Sequence, residues 1–320
     1  MKKLNKKILI TGGAGYIGHN LIVFFLKKKY KIYVLDNFLT SKLIHSKVKK
    51  EVNFFKIDLA NESKVKSFFK NKNFDLIIHL AAFSGVKEFN KNILKYFNNN
   101  VLATKNLVKY GFEKPTTNLI FASSAAVYGK VSKNKVSETT ECNPANYYGL
   151  SKLACEKIIN SELEGKKNNY AILRYFNVVG SIHNFKIMKK INSLFDIVYF
   201  SIKKKKYKIN INGSGNDTRD GTPERDFIHI RDLCEIHNKT VNYLNKNKRI
   251  VVNCGSGIKY SVLEVVKAFE KKIKRKFKIT YKVTNPDETQ TICSNIRLAK
   301  NALQVKIANK KIDNLIESYL

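Results

Sequence analysis

The segment Thr11–Gly18, with the sequence TGGAGYIG, constrains the fold more than any other feature of the chain. It directly follows the apolar run Ile8–Ile10, which predicts a buried strand, and it opens a predicted helix over 16–28. Glycines at such a junction permit a tight turn and let backbone N–H groups approach a pyrophosphate at the positive end of the helix. This order of strand, glycine turn and helix predicts a dinucleotide site, whereas the glycines alone would fit an ordinary turn.

The identity of the dinucleotide is indicated by Asp36, which follows the next predicted strand, 32–35, about 20 residues beyond the glycines. A carboxylate there accepts hydrogen bonds from the adenosine ribose hydroxyls and repels a 2′-phosphate. We therefore expect NAD rather than NADP. Asp58 ends the following strand, where the adenine ring would lie, although the same residue could instead cap the helix that follows.

Short apolar runs alternate with helical stretches through the first half, as in a doubly wound parallel sheet. The predicted strands are 8–10, 32–35, 53–57, 76–80, 119–123 and 170–175, with helices over 16–28 and 93–110 and from 147 onward. The second half is less regular, with short strands over 209–213, 227–230 and 250–253 and a serine-capped helix over 261–271. The predicted architecture is α/β, with a Rossmann NAD-binding domain over 1–176 and a smaller, irregular substrate-binding domain over 177–320, parts of which return to the first.

The amino-acid composition indicates which binding partners and which cellular compartment to expect. The 60 Lys and Arg residues against 25 Asp and Glu give a net charge of +35, which would suit a nucleic acid or an anionic membrane. The lysines are scattered from Lys2 to Lys311, however, and the longest run, Lys203–Lys206, accompanies no nucleic-acid motif, so we expect neither partner. The five cysteines contain no CxxC pair, and no run approaches the roughly 18 apolar residues of a membrane helix. We expect a soluble, cytoplasmic protein with no metal site.

A catalytic constellation is predicted around Tyr148 and Lys152, because residues four apart share one face of a helix. Ser124 follows the fifth predicted strand, and the carboxyl ends of parallel strands form the binding crevice of such a sheet. Bringing the pKa of a tyrosine from about 10 to about 7 requires roughly 4 kcal/mol of charge stabilisation. We expect Lys152 and the positive nicotinamide ring to supply it, so that Tyr148 acts as a base while Ser124 holds the reacting oxygen.

These residues resemble the extended short-chain dehydrogenase/reductase family and, within it, the UDP-hexose 4-epimerases. The resemblance covers nearly the whole chain. Its motifs in the first half are TGGAGYIG (11–18), LDN (35–37), HLAA (79–82), NNV (99–101), SSAAVYG (123–129), YYGLSK (147–152) and RYFN (174–177). In the second half, DTRDGTPERDFIHIRDL (217–233) is more discriminating.

The resemblance implies a role for each matching residue. Those expected to line NAD are Gly12, Gly15, Tyr16, Ile17, Gly18, Asp36, Asn37, Phe38, Leu39, Thr40, Ser41, Asp58, Leu59, Leu80, Ala81, Ala82, Phe83, Ser84, Asn99, Tyr148, Lys152 and Phe176. Those expected to contact the UDP-sugar are Ser124, Tyr148, Asn177, Ser193, Leu194 and Arg225. Arg225 would bind the diphosphate, since a guanidinium fork suits phosphate oxygens, unless it pairs with Asp226 or Glu224 instead. For His79 we expect only a packing role.

The implied activity is inversion of C4 of UDP-glucose or UDP-galactose through a transient 4-keto sugar, carried out by a homodimer. Another 4-epimerase, acting on a UDP-N-acetylhexosamine, pentose or uronate, remains an alternative. So do a net dehydrogenase or reductase and a non-catalytic RNA-binding relative. Dehydration is disfavoured because Ala125 and Ala126 stand where nucleotide-sugar 4,6-dehydratases carry an Asp-Glu pair. The chain departs from the epimerases at 284–289, which lacks their diphosphate-binding arginine, and at Ser193, where they carry an asparagine.

Overall fold

The structure, a computed structural model, describes residues 6–40, 46–84, 93–131, 135–182, 193–246, 249–282 and 289–320. Two of the predictions fall elsewhere: Ser41 and the segment 284–288 lie outside the described residues. Among the described helices, none is long and apolar enough to cross a bilayer.

The strands and helices follow the predicted alternation. The strands are β1 Lys7–Thr11, β2 Lys31–Asp36, β3 Asn53–Lys56, β4 Leu76–His79, β5 Asn118–Ser124, β6 Tyr170–Tyr175, β7 Asn177–Val179, β8 Lys208–Asn212, β9 Glu224–His229, β10 Arg249–Cys254, β11 Lys259–Ser261, β12 Lys278–Lys282 and β13 Thr291–Ile292. The α-helices are α1 Tyr16–Lys27, α2 Ser46–Glu51, α3 Glu62–Phe69, α4 Ile93–Tyr96, α5 Ala103–Gly111, α6 Tyr147–Leu163, α7 Leu194–Lys203, α8 Ile230–Leu244, α9 Val262–Ile273, α10 Arg297–Ala302 and α11 Ile312–Glu317.

Seven of the described strands form the central sheet, in the order β10-β6-β5-β4-β1-β2-β3. Strand β1 runs parallel to both β2 and β4, so that Thr11 lies opposite Leu35 on one side and His79 on the other. Strands β4 and β6 are buried along their whole length, as expected for parallel strands covered on both faces. The predicted doubly wound sheet is confirmed. Its order reverses at β1 and β4, which is where such sheets bind their ligands.

The helix predicted over 93–110 is interrupted. A π-helical segment, Phe97–Leu102, separates α4 from α5. The hydroxyl of Thr104 donates to the carbonyl of Asn100 at 2.7 Å, and the thiol of Cys155 donates to the same carbonyl at 3.4 Å. Side chains that take a helical carbonyl in this way widen the turn, which explains the π-helical geometry.

The chain divides into two compact units, each built from three segments. The first unit comprises 1–127, 146–174 and 237–252, and the second comprises 128–145, 175–236 and 253–320. The first unit has a core that includes Leu9, Phe68 and Ile159, and the second has a core that includes Phe195, Phe227 and Phe269. In the second unit the predicted serine cap is confirmed, since Ser261 and Glu264 form a reciprocal capping box at the start of α9.

Candidate active site

The glycine turn in the first unit has room for hydrogen atoms only. Gly12 adopts a φ of +69°, and a Cβ there would lie 2.6 Å from the backbone nitrogen of Ala81. A Cβ on Gly18 would lie 2.5 Å from the carbonyl oxygen of Gly12. The turn therefore passes directly over the end of β4, and helix α1 packs directly against the turn. Both close approaches require glycine.

The amino end of α1 suits an anion. The helix is capped by Gly15, which has no side chain to satisfy the first N–H groups, and the first turn contains no acidic residue. The N–H groups of a first helical turn have no partner within the helix, and the macrodipole adds positive potential. A pyrophosphate would find N–H donors and no acidic side chain in this first helical turn, so this end of α1 fits a dinucleotide.

Asp36, at the end of β2, lies beside the same turn. One carboxylate oxygen accepts from the Ala14 N–H at 2.9 Å, and the other accepts from the Phe38 N–H at 2.8 Å. Burial raises the pKa of Asp36, and these backbone hydrogen bonds oppose that shift. An ionised carboxylate has about four acceptor positions. Asp36 is partly exposed, so its carboxylate retains acceptor capacity for the ribose hydroxyls of NAD.

Most of the other predicted cofactor residues lie in the first unit, at the carboxyl ends of neighbouring strands. Asn37–Thr40 follow β2, Asp58 and Leu59 follow β3, and Leu80–Ser84 follow β4. Asn99 lies in the π-helical segment, beside Asn100, which holds Phe83 through two hydrogen bonds. Phe176 belongs to the second unit, where its N–H donates to the carbonyl of Cys254.

Asp58 does not cap a helix. Its carboxylate accepts from the N–H of Ala60 at 2.9 Å, two residues on, and therefore forms a local turn. The side chain of Asn61 caps α3 by accepting from the N–H of Lys64 at 3.0 Å. The helix-cap alternative for Asp58 is wrong, and its role toward the adenosine remains a prediction.

The predicted catalytic residues meet in the first unit. Asn146 caps α6 by accepting from the N–H of Gly149, which fixes where the helix begins. Tyr148 stands in its first turn and forms a hydrogen bond with Ser124, the last residue of β5. Lys152 follows one helical turn later and is buried. The structure thus brings Ser124, Tyr148 and Lys152 to the carboxyl edge of the sheet.

The pKa values of this group differ from expectation. Burial raises the pKa of Tyr148 to about 12, and the hydrogen bond with Ser124 opposes the shift only in part. Lys152 does not lower it, because its Nζ donates to the Ala122 carbonyl at 2.7 Å and lies over the Phe121 ring. Burial lowers the pKa of Lys152 to about 8. Lys152 alone therefore does not make Tyr148 acidic, and the expectation that Lys152 and the positive nicotinamide ring do so together remains a prediction.

His79, at the end of β4, is a buried structural residue, as expected. Its Nδ1 lies 2.7 Å from the hydroxyl of Thr11, and its Nε2 lies 3.0 Å from the hydroxyl of Thr104. Burial, followed by the charge of Lys152, lowers the pKa of His79 to about 3. The ring is therefore neutral and links β1, β4 and α5 through hydrogen bonds.

The neutral state of His79 predicts acid sensitivity. Its folded pKa lies below the unfolded value of 6.5, so below that pH the unfolded chain binds a proton that the folded chain does not. The free energy of unfolding should therefore decrease as the pH is lowered, by up to about 1.4 kcal/mol per pH unit for this residue. In urea unfolding between about pH 6.5 and about pH 5, a His79→Asn variant should be less stable throughout but lose stability less steeply. An unchanged slope would contradict this account.

Apart from Ser124 and Tyr148, the predicted substrate residues belong to the second unit. Asn177 begins β7, and Arg225 lies on the neighbouring strand β9. The Nη1 of Arg225 donates to the carbonyls of Glu224 and Gln290, both at 3.0 Å. Ser193 and Asp196 form a capping box at the start of α7, so Ser193 has a structural role whatever it binds. Leu194 is the first residue of that helix and packs against the core of the unit.

The carboxylates beside Arg225 have other partners. Glu224 forms ion pairs with Arg219 and Lys259. Asp226 is buried and accepts hydrogen bonds from Ser256, Gly257 and Ser294. These contacts argue against the alternative in which Arg225 serves only as their ion-pair partner. Its contact with a diphosphate remains a prediction.

One cleft of the second unit was not anticipated. It has a volume of about 460 Å³, and its walls include Lys135, Gly257, Ile296 and Val305. None of the predicted site residues lines it.

Glu156 in the first unit was also not predicted. It lies four residues after Lys152, at the same spacing that separates Lys152 from Tyr148, and a search for further residues at this spacing would have found it.

Comparison with known proteins identifies the family. A sequence model described as the NAD dependent epimerase/dehydratase family matches residues 8–255. The chain belongs to this family. The resemblance seen in the sequence is thereby confirmed, and NAD is the cofactor.

Individual relatives are more specific. The UDP-glucose 4-epimerase of Bacillus subtilis is 34% identical over an alignment of 312 positions that covers 92% of this chain and 91% of that protein. The crystal structure of UDP-glucose 4-epimerase from Bifidobacterium longum in complex with NAD+ and UDP has a TM-score of 0.90, at 30% identity over 98% of this chain and 97% of that one. The UDP-Glc/GlcNAc 4-epimerase of Campylobacter jejuni has a TM-score of 0.84, at 33% identity over 98% of each chain.

Proposed function

We propose that this chain is an NAD-dependent epimerase that inverts C4 of a UDP-hexose and interconverts UDP-glucose and UDP-galactose. The observation that carries the proposal is the pair formed by Tyr148 and Ser124, hydrogen-bonded at the carboxyl edge of the sheet. The glycine turn and Asp36 lie at the same edge, where they fit NAD. Relatives named as UDP-glucose 4-epimerases, about a third identical over most of the chain, support the same activity.

The residues of the chain divide the chemistry among them. Tyr148 takes the proton of the sugar 4-hydroxyl and later returns one, while Ser124 hydrogen-bonds the same oxygen. The glycine turn and Asp36 would hold NAD, which would supply the acceptor and donor of the C4 hydride, and its positive nicotinamide ring would favour the ionised form of Tyr148. Asn177, Ser193, Leu194 and Arg225 hold the UDP-sugar, with Arg225 on the diphosphate.

A cofactor-free assay tests this function. Because oxidation and reduction cancel within one turnover, the purified protein should interconvert UDP-glucose and UDP-galactose without added NAD. The assay panel includes the N-acetylhexosamine, pentose and uronate forms, and the epimers are separated by chromatography. Preference for one of these forms would favour the alternative 4-epimerase. Turnover that depends on added cofactor and accumulates NADH would indicate a net dehydrogenase and overturn the proposal.

We further propose that the protein is a homodimer. Leu94, Phe97 and Leu150 are 69%, 52% and 52% exposed. They lie on neighbouring helical segments of the first unit, since α4 and the π-helical segment both pack against α6. Exposed apolar side chains on neighbouring helices of a protein surface often mark a contact surface.

Substitutions in this apolar surface test the dimer. Leu94→Glu and Leu150→Glu should convert the dimer to a monomer in analytical ultracentrifugation, because each buries a charge in the contact. Tyr281→Glu, at an exposed position on β12 in the second unit, should leave the dimer intact. A monomeric wild-type protein would refute the proposal.

We also propose a cytoplasmic location. All five cysteines are free thiols, and four of them are buried. Thiols that remain unpaired are typical of a reducing compartment.

A further inference from the structure

Three buried polar side chains lie behind the Tyr148–Ser124 pair in the first unit. Ser123 is on β5, Arg174 is on the neighbouring strand β6, and Glu156 is on α6. Their exposed fractions are 2%, 6% and 3%. The catalytic roles proposed above use none of them.

The carboxylate of Glu156 joins the helix to both strands. Its Oε1 accepts from the Ser123 hydroxyl at 2.5 Å and from Arg174 Nε at 3.1 Å. Its Oε2 accepts from Arg174 Nη2 at 2.8 Å. A guanidinium that donates from two nitrogens to one carboxylate fixes direction as well as distance. We call these three residues the clamp.

The clamp holds the elements that carry the proposed chemistry. Tyr148, Lys152 and Glu156 are spaced four residues apart, so they share one face of α6. Ser123 immediately precedes Ser124 on β5. The clamp thus fixes the face of α6 that carries Tyr148 and the end of β5 that carries Ser124. The hydroxyls of these two residues must meet at the sugar oxygen.

Stability alone does not explain the clamp. Removing two charges from water is costly, and apolar residues of similar volume often stabilise a protein equally well or better. What an ion pair adds is a defined position. Proton transfer requires such a position, because hydroxyl groups must lie within about 0.5 Å of the productive geometry.

We propose that Glu156, with Ser123 and Arg174, is the positioning group that holds α6 against β5 so that Tyr148 and Ser124 share one sugar oxygen. This inference rests on the proposed epimerase function. None of the clamp residues is among those assigned above to the substrate or the cofactor. They act on the reaction only through Tyr148 and Ser124.

The double variant Glu156→Leu with Arg174→Met tests the clamp, because it removes the ion pair without leaving a buried charge unpaired. It should fold and retain NAD, with kcat lowered by about 10²-fold, as expected for a displacement near 1 Å, and with KM little changed. Ser123→Ala, which keeps the ion pair, should lower kcat by roughly tenfold through a smaller displacement. If the double variant does not fold, Ser123→Ala alone tests the proposal.

Thr117→Val is the matched control. Thr117 is 2% exposed and precedes the opposite end of β5, where its hydroxyl donates to the Phe74 carbonyl at 2.8 Å. Its loss should lower the melting temperature about as much as Ser123→Ala but leave kcat unchanged. Equal kcat losses in Thr117→Val and Ser123→Ala would show a merely structural role, and unchanged kcat in both clamp variants would overturn the proposal.

A crystal structure separates this inference from the proposed function. In the double variant the Tyr148 and Ser124 oxygens should move apart by more than about 0.5 Å. An inactive wild-type protein would overturn the epimerase assignment, while this displacement would still support the clamp. Unmoved hydroxyls would refute the clamp even in an active enzyme.

Discussion

A Tyr148→Phe variant is expected to keep its fold and its bound NAD and to lose epimerisation by about 10²–10⁴-fold. The phenol is the proposed group that exchanges the proton of the sugar 4-hydroxyl, and phenylalanine cannot do so. The ring itself is retained, so packing in the first turn of α6 should change little. Turnover of UDP-galactose gives the rate, and nucleotide released on denaturation gives the NAD content.

The neighbouring residue supplies the control for this prediction. Tyr147 is 45% exposed and immediately precedes Tyr148 in α6. Tyr147→Phe removes an equivalent hydroxyl from the same helical turn and should leave turnover unchanged. Full activity in Tyr148→Phe would remove the residue from the mechanism, and loss of NAD in that variant would assign it to cofactor binding instead.

Local pattern was sufficient to predict the strands, the turn and the helix that frame the proposed cofactor site. The strand before Gly12, the helix after Gly15 and the carboxylate at Asp36 are separated by short stretches whose apolar spacing specifies each element. The same holds for the start of α6, where Asn146 is a favourable cap and places Tyr148 in the first turn. Each of these features depends on residues that are close in the sequence, so the sequence alone predicts it.

Features that depend on tertiary contacts were not predictable in the same way. The π-helical segment arises because Thr104 and Cys155 both take the Asn100 carbonyl, and Cys155 is distant in sequence. The direction of the Lys152 ammonium, toward Ala122, depends on how α6 packs over β5. The i,i+4 spacing showed that Tyr148 and Lys152 share a face, but it could not show that burial raises one pKa and lowers the other.

A Gly18→Ala variant is expected to weaken both the cofactor turn and the fold. The added methyl would lie 2.5 Å from the Gly12 carbonyl oxygen and 2.6 Å from the Gly13 Cα, and both are backbone atoms. Relief requires α1 to move away from the turn, because Gly12 itself already abuts Ala81. Overpacking of this kind costs about 1–3 kcal/mol. If this cost falls on the NAD-bound state, the affinity for NAD should fall roughly 5- to 150-fold, because about 1.4 kcal/mol corresponds to a tenfold change in affinity.

Gly111→Ala distinguishes a blocked turn from a general intolerance of larger residues. A Cβ on Gly111, the last residue of α5, would meet the ends of two flexible side chains, Ile77 at 3.1 Å and Phe69 at 3.3 Å. Replacing a helical glycine by alanine favours the helix by about 1 kcal/mol, which offsets the crowding. The melting temperature and NAD content of Gly111→Ala should match those of the wild-type protein, whereas both should be lower in Gly18→Ala. Normal NAD retention in Gly18→Ala would contradict this account, because the pyrophosphate would then not depend on the packing of α1 against the glycine turn.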